Sequence, residues 1–154
     1  MLKISNLRYE ILRDVIISDF SLQLRAGEVK TLFGPSGCGK TSLLRLVCRL
    51  EDKKSGQIEN GFKKSSFLFQ ENRLLPNLTA LKNIEIFSPA GVSEIYALAA
   101  KIGLSPSDLN KFPRELSGGM QKRTAFLRTI LSGCDLALLD EPFVGLDRDL
   151  RGVL

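Results

Sequence analysis

The stretch VKTLFGPSGCGKTSLLRLVCRL, residues 29–50, decides the fold. Residues 29–33 read as a β-strand that runs straight into a glycine-rich loop. Residues 41–50 then place apolar side chains at Leu43, Leu44, Leu46, Val47 and Leu50, a spacing that buries one face of a helix. Strand, GxxxxGK[ST] loop and helix, in that order, are the parts of a phosphate-binding P-loop. Gly34, Gly37 and Gly39 let successive N–H groups turn inward toward anionic oxygens. Lys40 brings a charge to the outer phosphates and Thr41 offers a hydroxyl to magnesium. Gly34, Pro35, Ser36, Gly37, Cys38, Gly39, Lys40, Thr41 and Ser42 are therefore the expected phosphate-binding group. A plain glycine turn has no need of a lysine and a threonine at those two positions.

Two more elements aimed at phosphate or metal follow. LSGGMQKR, residues 116–123, reads as a helix start: Ser117 caps it, and Gly118 and Gly119 let an anion approach the free N–H groups at its positive end. By itself it is equally a capped turn. LALLDEP, residues 136–142, is a continuous apolar run of the kind found in parallel strands covered on both faces, and it ends in Asp140 and Glu141. The carboxyl end of such a strand is where open α/β sheets hold their ligands. Asp140 is assigned to magnesium, directly or through water, and Glu141 to orienting and deprotonating an attacking water. Gln70, at the end of the predicted strand 65–69, offers an amide oxygen to the metal or the water. Tyr9 is the candidate face for stacking an adenine ring.

Elsewhere the N-terminal segment reads as short strands broken at Arg13-Asp14 and at Ser18-Asp19, with turns at Ala26-Gly27 and Ser55-Gly56. Residues 72–115 read as a helical insertion in a single domain spanning 1–154. Its helices are expected at 81–87 and 94–102, with Ser93 as N-cap and Gly103 beyond the C-terminus; Pro76, Pro89, Pro106 and Pro113 divide them. Phe126, Leu127, Ile130 and Leu131 give the helix after Ser117 its inward face, before Gly133 stops it.

The 154 residues are 44% hydrophobic and 25% charged, an ordinary globular composition with room for one core. The net charge of +5 comes from scattered Lys and Arg, with no basic run of the kind that binds nucleic acid. Cys38, Cys48 and Cys134 show no CxxC spacing, which fits a reducing compartment and excludes a paired-cysteine zinc motif. The start MLKISNLRYE lacks the layout of a secretory signal, and no apolar run approaches the ~18 to 20 residues of a membrane span. A cytoplasmic protein is expected.

Taken together, these residues resemble the nucleotide-binding subunit of ATP-binding cassette (ABC) transporters over essentially the whole chain. The Walker A motif is residues 34–41, the Q-loop Gln70, the signature residues 116–121, the Walker B residues 136–140 with Glu141, and the D-loop Gly145-Leu146-Asp147. The resemblance adds Gln121 and Asp147 to the nucleotide-contacting set and places Tyr9 at the family's adenine-stacking aromatic. It implies an α/β P-loop NTPase with a mainly parallel central sheet, an N-terminal antiparallel β subdomain and a helical insertion, incomplete at the C-terminus.

It also implies an ATPase using ATP and Mg2+, whose two copies pair head to tail so that the signature of one completes the site of the other. Its expected partners are a second nucleotide-binding subunit, integral membrane permease subunits and a periplasmic substrate-binding protein, with no nucleic acid. The expected place is the cytoplasmic face of the inner membrane. FQENRLLPNLTALKNI, residues 69–84, resembles importers of the nitrate, sulfonate and taurine type. A cassette that binds ATP without turnover, or a soluble cassette ATPase outside transport, are the alternatives. Two departures stand out. The stretch from Lys40 to Gln70 is short for the family, and the chain stops at Leu154 with no histidine where relatives continue into a strand and a switch histidine. The expectation is a truncated, split or incomplete cassette whose central sheet lacks a strand.

Overall fold

The computed structural model describes residues 1–142. The backbone divides into two compact units, Met1–Ser65 and a second that begins at Ser66.

The first unit is built on a three-stranded antiparallel sheet in the order β2-β1-β3, from β1 (Leu2–Ile11), β2 (Asp14–Leu24) and β3 (Ser55–Asn60). Apolar residues of β1 fall at positions 2, 4, 7 and 9, so the alternation slips once. The slip is a bulge at Asn6, φ 46, with a register shift on both neighbouring strands. The extra residue restores phase, and Leu2, Ile4, Leu7 and Tyr9 are all buried. Gly56 of β3 faces this bulge at φ +88, where a Cβ would stand 2.4 Å from the Asn6 carbonyl oxygen. Only glycine fits that approach. Ser55-Gly56 is thus the start of a strand, not the expected turn. The expected break at Ser18-Asp19 is likewise a bulge inside β2, with Asp19 at φ 51.

Residues 29–33 do not form the expected strand. A strand exists only where a neighbour takes its N–H and C=O groups, and among the described residues none pairs with this segment. Val29 and Phe33 are each 92% exposed. The helix after the loop, α1 (Lys40–Val47), does form and buries Leu43, Leu46 and Val47. It ends earlier than expected because Arg49 turns to φ 58, which leaves Leu50 outside.

The second unit pairs β4 (Ser65–Leu68) with β5 (Leu136–Leu139) in a parallel sheet and adds α2 (Ala80–Glu85), α3 (Val92–Lys101), α4 (Pro106–Leu109), a 3-10 turn at Pro113–Glu115 and α5 (Gly118–Ile130). Leu68, Ile84, Ile95, Leu109, Phe126 and Leu127 belong to one buried cluster, so the helical segment and α5 share a core. Burial of each such side chain contributes roughly 1.5 to 3 kcal/mol. The run 136–139 is covered less fully than expected, since Leu136 and Leu138 are buried and Ala137 is exposed.

Caps set the helix boundaries. Thr79 accepts from the Lys82 N–H at 3.3 Å and starts α2. Gly91, not Ser93, precedes α3. Ser105 and Asp108 form a reciprocal capping box on α4.

Candidate functional site

In the first unit the glycine-rich loop hands directly into α1. Gly39 is its N-cap at φ 92, a left-handed position, and contributes no side-chain acceptor, so the first-turn N–H groups of α1 have no side-chain cap. A Cβ at Gly39 would meet Ile16 Cγ2 at 3.0 Å, which seats the loop end on β2. Lys40 folds back over the loop: its Nζ donates to the carbonyls of Gly34 and Pro35, each at 2.8 Å, and lies 3.6 Å from Cys38 Sγ. The loop thus carries one cation folded against its carbonyls and leads into an uncapped helix start, two features that suit phosphate oxygens. A Cβ at Gly34 would stand 2.6 Å from Cys38 Sγ, so the loop is also tight at its entrance. Pro35, Ser36 and Gly37 are exposed along it, while Thr41 and Ser42 sit half-buried in the first turn of α1.

Tyr9 belongs to the sheet of the first unit. It lies in the buried row of β1, 8% exposed, opposite Ile17. Its hydroxyl is directed to the Glu51 carboxylate, and that hydrogen bond, then burial, raises the phenol above its usual range.

In the second unit the parallel pair places the other residues. The Asp140 N–H donates to the Leu68 carbonyl at 3.0 Å, extending the ladder one residue past the end of β5. Gln70 follows β4 and Glu141 follows β5, and the Gln70 amide donates to the Glu141 carboxylate at 3.4 Å. Glu141 is exposed and holds φ 51, an uncommon backbone for a residue with a Cβ. Asp140 is 5% exposed, and its buried Oδ2 has no hydrogen-bond partner. A buried, unpartnered carboxylate oxygen at a strand end suits a hard divalent cation such as Mg2+. A carboxylate and an amide beside it can orient a water for in-line attack on a phosphoryl group.

The signature also lies in this unit. Ser117 caps α5, its hydroxyl accepting from the Met120 N–H at 3.3 Å. Ser117 and Gly118 are exposed, Gly119 is half-buried, and space is open around Gly118. Gln121 is otherwise engaged than expected: its amide donates to the carbonyls of Pro113 at 2.9 Å and Leu116 at 3.2 Å, and accepts from Asn72. These bonds brace the turn before the signature. Asp147, with Gly145 and Leu146, lies outside the described residues.

Sequence reasoning missed the cations of α5. Arg128 donates from Nη1 to the Arg73 carbonyl at 2.8 Å and from Nη2 to the Asn72 carbonyl at 2.9 Å. Lys122, buried, reaches the Gln70 carbonyl at 3.4 Å. The available signal was a buried lysine, Lys122, among the core positions of α5.

The profile of the family described as ABC transporter matches residues 17–144. The chain belongs to the ABC transporter family. Among curated cassette proteins it is 40% identical over 140 residues to the aliphatic sulfonates import ATP-binding protein SsuB 1 of Pseudomonas savastanoi pv. phaseolicola, covering 90% of this chain and 59% of that protein. It is 37% identical over 150 residues to SsuB of Bacillus subtilis, covering 90% of this chain and 58% of that one. The chain thus spans under two thirds of the curated cassette relatives it matches. Among solved structures, a dimeric post-hydrolysis state of the ATP-binding cassette MJ0796 bound to ADP and Pi superposes with a TM-score of 0.82 at 26% identity. The match covers 97% of this chain and 78% of that cassette. The expected α/β cassette fold, with its antiparallel N-terminal sheet and its parallel sheet, is thereby established.

Proposed function

We propose that this chain is the ATP-binding part of an ABC importer, hydrolysing ATP between two copies paired head to tail and driving membrane permease subunits. The observation that carries the reading is the strand-end group of the second unit: a buried Asp140 oxygen without a partner, beside a Gln70 amide that touches Glu141. The P-loop of the first unit, over whose carbonyls Lys40 folds, is by itself suited to phosphate oxygens.

In this reading the P-loop residues 34–42 hold the nucleotide phosphates, and Lys40 exchanges its loop carbonyls for phosphate oxygens. Thr41, Asp140 and Gln70 would hold Mg2+, which when bound neutralises charge on the terminal phosphates. Glu141 accepts the proton of the attacking water, and Gln70 fixes where that water sits. Ser117, Gly118 and Gly119 serve the terminal phosphate of the partner copy's nucleotide, and Asp147 belongs to the same interface. The relatives' names carry import of aliphatic sulfonates, and we propose the same solute class here, delivered by a periplasmic binding protein. Among the described residues no helix is long and apolar enough to cross a membrane, which suits a subunit placed peripherally on the cytoplasmic face beside its permease.

The test is magnesium-dependent ATP binding and turnover by the chain with its permease. Glu141→Gln should retain ATP and lose about two to three orders of magnitude in turnover. Lys40→Ala should lose the nucleotide itself. Wild-type chain that takes up no ATP at millimolar concentration overturns the proposal; ATP bound but equal turnover with and without Glu141 overturns its catalytic part.

A further inference from the structure

The Q-loop does not simply follow β4; it is held by α5. The carbonyls of Gln70, Asn72 and Arg73 accept from Lys122, from Arg128 Nη2 and from Arg128 Nη1 respectively. The Asn72 side chain adds a bond to Gln121 at 3.4 Å. Lys122 and Arg128 are six residues apart, about 9 Å along a helix axis, enough to span the loop. Arg128 matters most, because its planar fork bridges two consecutive carbonyls at 2.8 and 2.9 Å, a task that an ammonium cannot copy. The guanidinium also lies 5.7 Å from the Phe87 ring centroid, which fixes its approach.

We propose that Arg128, assisted by Lys122, is a positioning residue that fixes the Q-loop backbone and so sets the reach of the Gln70 amide toward Glu141. The inference rests on the roles given above to Gln70 and Glu141. Because Ser117 opens the same helix, α5 ties the residues offered to a partner's nucleotide to the residue that orients water at this chain's own. A displacement of α5 is carried to the Q-loop through three carbonyls.

The experiment compares the wild-type chain, Arg128→Met and Arg128→Lys. It reads amide hydrogen exchange across residues 70–74 and, with the permease, kcat and KM for magnesium-ATP. For Arg128→Met, exchange in 70–74 should rise at least about tenfold while α2 and α5 keep their protection. Its kcat should fall about tenfold or more with KM within about twofold. Arg128→Lys should recover part of both. Unchanged exchange in 70–74 overturns the tether. So does joint loss of protection in α2 and α5, which marks Arg128 as a general prop, and so does loosened exchange with unchanged kcat. Failure of the nucleotide reading shows separately, as a wild-type chain that binds no ATP; the exchange measurement then still upholds or overturns the tether itself.

Discussion

Asn83 shows how much structure one side chain can organise. It is fully buried: its amide nitrogen shares its two N–H groups among the carbonyls of Leu75, Leu78 and Thr79, and its oxygen accepts from the Leu75 N–H at 2.7 Å. The irregular segment between the Q-loop and α2 therefore has its backbone paired by a side chain in place of a ladder. Asn83→Ala would strand several buried backbone groups at once and should cost roughly 2 to 4 kcal/mol. A denaturant melt checks this, and a change under about 0.5 kcal/mol would count against the account. Nothing in the sequence marked Asn83, because its partners come from a loop with no periodic pattern. By contrast, Lys40, Thr41, Asp140 and Glu141 could be read directly, since phosphate and metal chemistry restricts both residue type and spacing.

At the scale of elements, α4 carries the clearest pH dependence. Lys111 Nζ pairs with Asp108 Oδ1 at 2.7 Å, and Ser105 donates from its hydroxyl and its N–H to Oδ2. Led by the Lys111 bond, these contacts lower the Asp108 carboxyl from 3.8 to about 2. The folded-state value is depressed, so the contribution is fully present above about pH 4 and is lost as pH falls toward 2. With Lys111 41% exposed, solvent screening leaves roughly 1 to 2 kcal/mol at neutral pH. Asp108→Asn should remove that contribution and flatten the acid limb of the stability curve between pH 4 and 2, as thermal melts at stepped pH would show. A wild-type curve already flat in that window would refute the assignment. Helix existence was legible from apolar spacing, as with Leu43, Leu46 and Val47, but helix ends were not. Arg49 at φ 58 and Gly91 in place of Ser93 are decided by packing that spacing does not encode. In β1 the apolar positions 2, 4, 7 and 9 did carry a signal, a phase slip, which only the bulge at Asn6 explains.

For the whole molecule, the motifs read in order along the chain were enough for the family, because three anion- or metal-directed elements in one sequence constrain each other. They were not enough for the position of Tyr9, whose burial depends on the phase of a sheet, nor for residues 29–33, whose strand character depends on a neighbour. That last segment has a practical consequence for anyone handling the protein. VKTLF is rich in β-favouring residues, carries a single charge, and shows Val29 and Phe33 to water, with its backbone outside the sheets formed among the described residues. Such a ribbon is a template for other chains. Solubility should therefore be limited by concentration well below the thermal midpoint. Phe33→Ser should slow light-scattering growth several-fold while moving the melting temperature by no more than about 1 °C, since an exposed ring adds little to the fold. Equal aggregation rates for the two chains would show that this segment is not the adhesive surface.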